Sequence, residues 1–191
     1  FWTLFSLLFG IGFAVMYERA SLAGGNFESI YRRRLFFLML IGLGHLWLIW
    51  EGDILFSYAL AGFVLLGWYR SGADFSLPAI VAWYSAPLML LAGIGMLNGS
   101  EAGADGHFSK ELAEQVRVLG SGSYSDAVRW RIGKFGQDLA SALFLLPMTV
   151  AMFALGVRFY RHGLAKPPPE AGPAALRQAA PLWCSGFVLM L

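Results

Sequence analysis

The residues best equipped for chemistry stand between Arg32 and Tyr58. Arg32, Arg33 and Arg34 form an unbroken cationic run, His45 follows, and Glu51 and Asp53 flank a glycine a turn ahead of Tyr58. Ten residues separate Arg34 from His45, which on a helix is about 16 Å of axial rise. Guanidinium groups bind phosphate through paired N–H donors. An imidazole takes a proton from a hydroxyl or amine when a carboxylate fixes its tautomer. The pattern therefore offers an anion-docking end and a general-base end, with Asp53 or Glu51 as the orienting carboxylate. Each residue also has a plainer reading. The arginines can anchor a helix end on the cytoplasmic side, His45 can hydrogen-bond to a neighbouring helix or to Asp53, and Asp53 is well placed to cap the helix that follows it.

The elements that must hold these residues are set by composition. Hydrophobic residues make up 58% of the 191 and charged ones 14%, with mean hydropathy +0.60, against about 25% charged in soluble domains. Uncharged stretches run over 1–17, 35–50, 54–69, 75–100, 139–157 and 178–191. Because they are continuous and not alternating, they predict helices and not barrel strands. The expected fold is all-α, a polytopic transmembrane bundle of six spans at about 1–16, 35–50, 54–70, 76–97, 138–158 and 178–191, all in one membrane domain. Three of these are nearer 16 than 20 residues, so they barely cross unless flanking aromatics and arginines snorkel. The chain opens inside an apolar run at Phe1 and closes inside another at Leu191, so the first and last spans are expected to be truncated. This composition excludes a soluble enzyme, a disordered chain and a nucleic-acid binder, and Cys184, the single cysteine, excludes an internal disulfide.

Counting Lys and Arg between spans gives nine on the side of Arg32–Arg34 and five on the other, which predicts that the arginine run faces the cytoplasm. Residues 98–137 form the one sizeable extramembrane loop. Within it Lys110–Leu119 reads as a short amphipathic helix with Ser109 as cap, lying on lipid or acting as a lid. Ser125 reads as a second cap, with Val128, Ile132, Phe135 and Leu139 at helical spacing leading into the fifth span. Residues 159–177 are a proline-rich connector. Leu7-Leu8-Phe9-Gly10-Ile11-Gly12 echoes Leu90-Leu91-Ala92-Gly93-Ile94-Gly95, and such glycines commonly serve close helix packing. There is no Walker loop, HExxH, GxSxG or cysteine cluster, and the three histidines are scattered, so no metal site is expected.

Phe5-Ser6-Leu7-Leu8-Phe9-Gly10-Ile11-Gly12, the Arg32–Arg34 run, Gly42-Leu43-Gly44-His45 and Gly52-Asp53-Ile54-Leu55 with Tyr58-Ala59 together resemble the YeiB-like family of bacterial inner-membrane proteins. The resemblance is dense over about 1–62 and continues thinly through Gly122-Ser123-Tyr124 and Arg129. That family is similar in layout to the transmembrane acyltransferase clan, which includes the heparan-glucosaminide acetyltransferase-like and acyltransferase-3 proteins. The resemblance implies an inner-membrane protein that moves an acyl group from cytoplasmic acyl-CoA, a co-substrate and not a resident cofactor, to an extracytoplasmic acceptor. His45 and Asp53 would then be catalytic, and Arg32, Arg33 and Arg34 would bind the CoA phosphates. In acyltransferase-3 proteins a comparable pair of basic residue and histidine sits on the first helix, whereas here it is on the second. A small-molecule transporter, suggested by proline-bearing spans and the inverted glycine echo, and a noncatalytic membrane scaffold are the competing readings.

Overall fold

A computed structural model describes residues 2–50, 52–72, 75–98 and 104–164. Among them every regular element is a helix: α1 (Trp2–Leu22), α2 (Phe27–Leu48), α3 (Leu55–Arg70), α4 (Leu77–Asn98), α5 (Ala104–Ser121) and α6 (Tyr124–Arg161). The turn from α1 to α2 passes through Gly24 at φ 64°, a left-handed backbone that glycine adopts without a Cβ penalty. Asn26 then caps α2 by accepting from the Ser29 N–H at 3.2 Å. The arginine run therefore lies within the second turn of α2 and not in a loop before it.

Three helices, α1, α4 and α6, are long and apolar enough to cross a membrane. Among the described residues α2 and α3 do not confirm the expectation of six spans, for identifiable reasons. Glu28 and Arg32–Arg34 put four charges in the first two turns of α2, and α3 has only 16 residues. The sixth expected span, 178–191, and the prolines of the connector lie outside the described residues.

The core is aromatic and tightly closed. Phe13, Tyr31, Leu35, Leu65, Val150, Phe153 and Val157 are each at most 1% exposed. Phe9 stacks on Phe153 with centroids 4.5 Å apart, and Phe13 meets Tyr31 edge-on at 4.9 Å. Helices α1, α3 and α6 run the same way, with α2 returning antiparallel against α3. What lets α1 and α6 touch is the absence of two side chains. A Cβ on Gly10 would collide with the Phe153 carbonyl, and one on Gly156 with the Leu7 carbonyl. Of the glycine echo, only Gly10 has this role: Gly12, Gly93 and Gly95 face no atom within 4 Å.

Basic residues gather at one end of the bundle. Arg70 lies 3.5 Å from Glu28, Arg158 donates to the Phe75 carbonyl at 3.0 Å, and Arg161 sits over the rings of Tyr69 and Phe75. At the other end α6 runs on without a break. Its 38 residues begin at a capping box in which Ser123 Oγ accepts from the Asp126 N–H and the Asp126 carboxylate accepts from the Ser123 N–H. The cap is thus Ser123 and not Ser125, because Asp126, three residues on, completes the reciprocal pair only with Ser123. Ser123→Ala is expected to cost about 1 kcal/mol, read as a lowered unfolding midpoint in detergent.

Helix α5 also starts earlier than the sequence suggests, which places Ser109 inside it and not at its cap. Leu112, Val116 and Leu119 are exposed along one face at i, i+4, i+7 spacing. On the same helix Arg117 hydrogen-bonds Glu114 and holds its carboxyl below the usual carboxylate range.

Candidate functional site

His45 occupies the last turn of α2 and Asp53 the turn before α3. Gly42, one turn before His45, permits their approach: a Cβ there would collide with the Phe56 backbone N–H group. The two helices therefore come into backbone contact one turn from where the histidine and the aspartate face each other. Asp53 Oδ2 accepts from the Phe56 N–H at 2.9 Å, which fixes the carboxylate at the positive end of α3. Its other oxygen, Oδ1, lies 3.0 Å from His45 Nδ1. That separation is within hydrogen-bond reach, but neither atom makes an aligned hydrogen bond, so the ring N–H is not aimed along the contact. The Asp53 side chain is 0% exposed and that of His45 31%. A buried carboxylate locked by a helix cap thus stands against an imidazole that keeps access to its surroundings. Glu51, the other carboxylate in the turn, lies outside the described residues.

Asp53 also forms one wall of a cavity of about 260 Å³ among α1, α3 and α6. Ser57 follows it from α3, Trp2 closes one side, and α6 contributes Asp138, Ser141 and Thr149. Asp138 is the residue that sequence reading passed over, since it stands only as the charged border of the 139–157 run. A signal for it exists nonetheless. Asp138, Ser141, Ala142, Leu145 and Thr149 recur at +3, +4, +7 and +11, which aligns them on one helix face, and all five line the cavity.

Tyr58, one turn into α3, does not reach His45. Its hydroxyl donates to the Trp2 carbonyl at 2.9 Å and lies 2.8 Å from Ser6 Oγ, pinning the start of α1 to α3. Ser6 also donates to the Trp2 carbonyl at 2.8 Å. Tyr58→Phe therefore leaves that carbonyl satisfied, and is expected to cost about 1 kcal/mol in thermal or denaturant unfolding.

The C-terminus of α2 is held from outside the pair. Tyr124 Oη and Arg131 Nη1 both donate to the Leu48 carbonyl, at 2.9 and 3.3 Å, and Phe135 meets Trp47 and Phe56 edge-on. Arg32, Arg33 and Arg34 are all exposed, three turns away along α2. Arg34 Nη1 reaches Met16 Sδ at 2.7 Å, and Arg33 and Arg34 line a groove between α1 and α2. That groove and the Asp53 cavity share no lining residue. The structure thus joins His45 with Asp53 and leaves the arginines apart from both.

Comparison with known proteins adds family context. No protein-family model and no solved structure matches the chain. It is 42% identical to YxaH, an uncharacterized protein of Bacillus subtilis (strain 168), over 199 aligned residues that cover 97% of this chain and 48% of the relative. It is 34% identical to YeiB, an uncharacterized protein of Escherichia coli (strain K12), over 98 residues, covering 51% of this chain and 22% of the relative. A third relative, an uncharacterized 39.9 kDa protein in the amylase 3′ region of Bacillus acidopullulyticus, is 36% identical over 70 residues. The chain spans about half the length of YxaH, and its aligned segments cover about a fifth of the other two. The chain is thus similar to YxaH and YeiB, both of them uncharacterized.

Proposed function

We propose that the protein is a multi-pass protein of the bacterial inner membrane, with the arginine end in the cytoplasm, that transfers an acyl group from acyl-CoA to an acceptor on the far side. The observation that carries this reading is the His45–Asp53 pair. It couples an accessible imidazole at 3.0 Å to a buried, capped carboxylate. In this reading a small turn of the ring aims the Nδ1–H at Asp53 Oδ1, which then holds the tautomer and stabilises the imidazolium, as a carboxylate partner does for a catalytic histidine. His45 takes the acceptor's O–H or N–H proton as the acceptor oxygen or nitrogen attacks the thioester carbonyl. The C–S bond then breaks, and the imidazolium returns the proton to the departing CoA thiolate. The nearby cavity, with two carboxylates and three hydroxyls, offers polar partners to an acceptor. The cationic rim at Arg32–Arg34 supplies the charge that a CoA phosphate needs.

The test is acyl-CoA binding and acceptor acylation by the full-length protein, compared between wild type and His45→Ala. Unchanged binding and acylation in a folded His45→Ala protein would remove the catalytic role. Transport is the second reading, and the cavity among α1, α3 and α6, two residues from Pro147, is what favours it. It expects solute flux in proteoliposomes and no affinity for acyl-CoA.

A further inference from the structure

The groove between α1 and α2 has the make-up of a lipid site. It encloses about 440 Å³, with Ile30, Arg33 and Arg34 toward one end and Phe9, Phe37, Leu38 and Ile41 along its length. Among the described residues no carboxylate lines it, and Glu28, the acid on the same helix nearest to it, is turned to Arg70 at 3.5 Å. Phe37 and Ile41 are 54% and 60% exposed on a helix whose core contacts lie on its other faces. Two unneutralised guanidinium groups at the head of an apolar trough match one kind of occupant, an anionic phosphate carrying a hydrocarbon chain.

We infer that this groove binds an anionic phospholipid, whose phosphate docks on Arg33 and Arg34 and whose acyl chain lies along Phe37, Leu38 and Ile41. Seven residues from Arg34 to Ile41 give about 10 Å of trough, enough for the upper part of one acyl chain. Arg34 is steadied for this by Met16. Arg32 is not part of the lining; the site shares Arg33 and Arg34 with the rim assigned to acyl-CoA in the acyl-transfer reading, but lipid retention and acyl transfer are read separately, so either can fail without the other.

The full-length protein, reconstituted in nanodiscs of phosphatidylcholine doped with phosphatidylglycerol, tests the inference by native mass spectrometry of retained lipid. Wild type should retain phosphatidylglycerol over phosphatidylcholine, and Arg33→Gln/Arg34→Gln should lower that preference about thirtyfold, at roughly fivefold per arginine. Arg33→Lys/Arg34→Lys should keep most of it, and Arg129→Gln, on α6 away from the groove, should keep all of it. Phe37→Gln/Ile41→Gln should weaken retention of the lipid while leaving its headgroup preference. Equal retention of the two lipids by wild type, or an undiminished preference in the double glutamine variant, overturns the site. Competition by glycerol phosphate as strong as by the lipid would show a bare phosphate site and overturn the trough. If the double glutamine variant fails to fold, the wild-type lipid comparison and the lysine and Phe37/Ile41 variants still decide.

Discussion

His45→Ala in the full-length protein is expected to cut acyl transfer by about 10²- to 10⁴-fold, the usual contribution of a positioned general base, while the protein keeps its fold and its acyl-CoA affinity. The fold should survive because the His45 side chain is 31% exposed and makes no aligned hydrogen bond. Asp53→Asn separates orientation from architecture. An asparagine carbonyl still accepts from the Phe56 N–H, so the cap on α3 is retained, but the charge that stabilises an imidazolium is gone. Its loss of rate should be clear but smaller than that of His45→Ala, with thermal unfolding unchanged. Asp53→Ala removes the cap as well, adding a stability loss of about 1 kcal/mol that thermal unfolding would show. A purely structural pair would give the reverse order: stability would fall with each variant, and the rate per folded molecule would not change.

The largest effect on folding is expected at Gly156. A Cβ there meets the Leu7 carbonyl and comes within 3.1 Å of the Gly10 Cα. Both neighbours are backbone, so no side-chain rotation relieves the clash, and the helices themselves must separate. Gly156→Ala is expected to cost about 1–3 kcal/mol, the range for overpacking a close contact. Gly156→Leu should abolish recovery of monodisperse protein from detergent. Gly12→Ala and Gly93→Ala serve as controls. Nothing lies within 4 Å of either added methyl, and alanine gains up to about 1 kcal/mol of helix propensity over glycine. A Gly156→Leu protein that purified and melted like wild type would refute the close α1–α6 crossing.

Local signals carried far in this chain, and long-range ones did not. Among the described residues helices were legible wherever charge was missing, and the Gly52-Asp53 turn was short enough to bring Asp53 back toward His45. The start of α2 was not, because the charges of Arg32–Arg34 read as a loop although Asn26 caps a helix through them. Similarly, Ser125 read as the start of α6, whereas the reciprocal bonds with Asp126 put the cap at Ser123. Asp138 needed information that no local pattern holds. Its place in the cavity depends on α6 crossing the beginning of α3, some 85 residues away in the chain.

The continuity of α6 has one more result. A helix of 38 residues is about 57 Å long, close to twice the thickness of a hydrocarbon layer. Through Tyr124 and Arg131 one arm grips the end of α2 beside His45, while the far arm is wedged against α1 and ends in the basic cluster. One continuous element therefore holds both ends of the bundle, with Pro147 lying between its two grips.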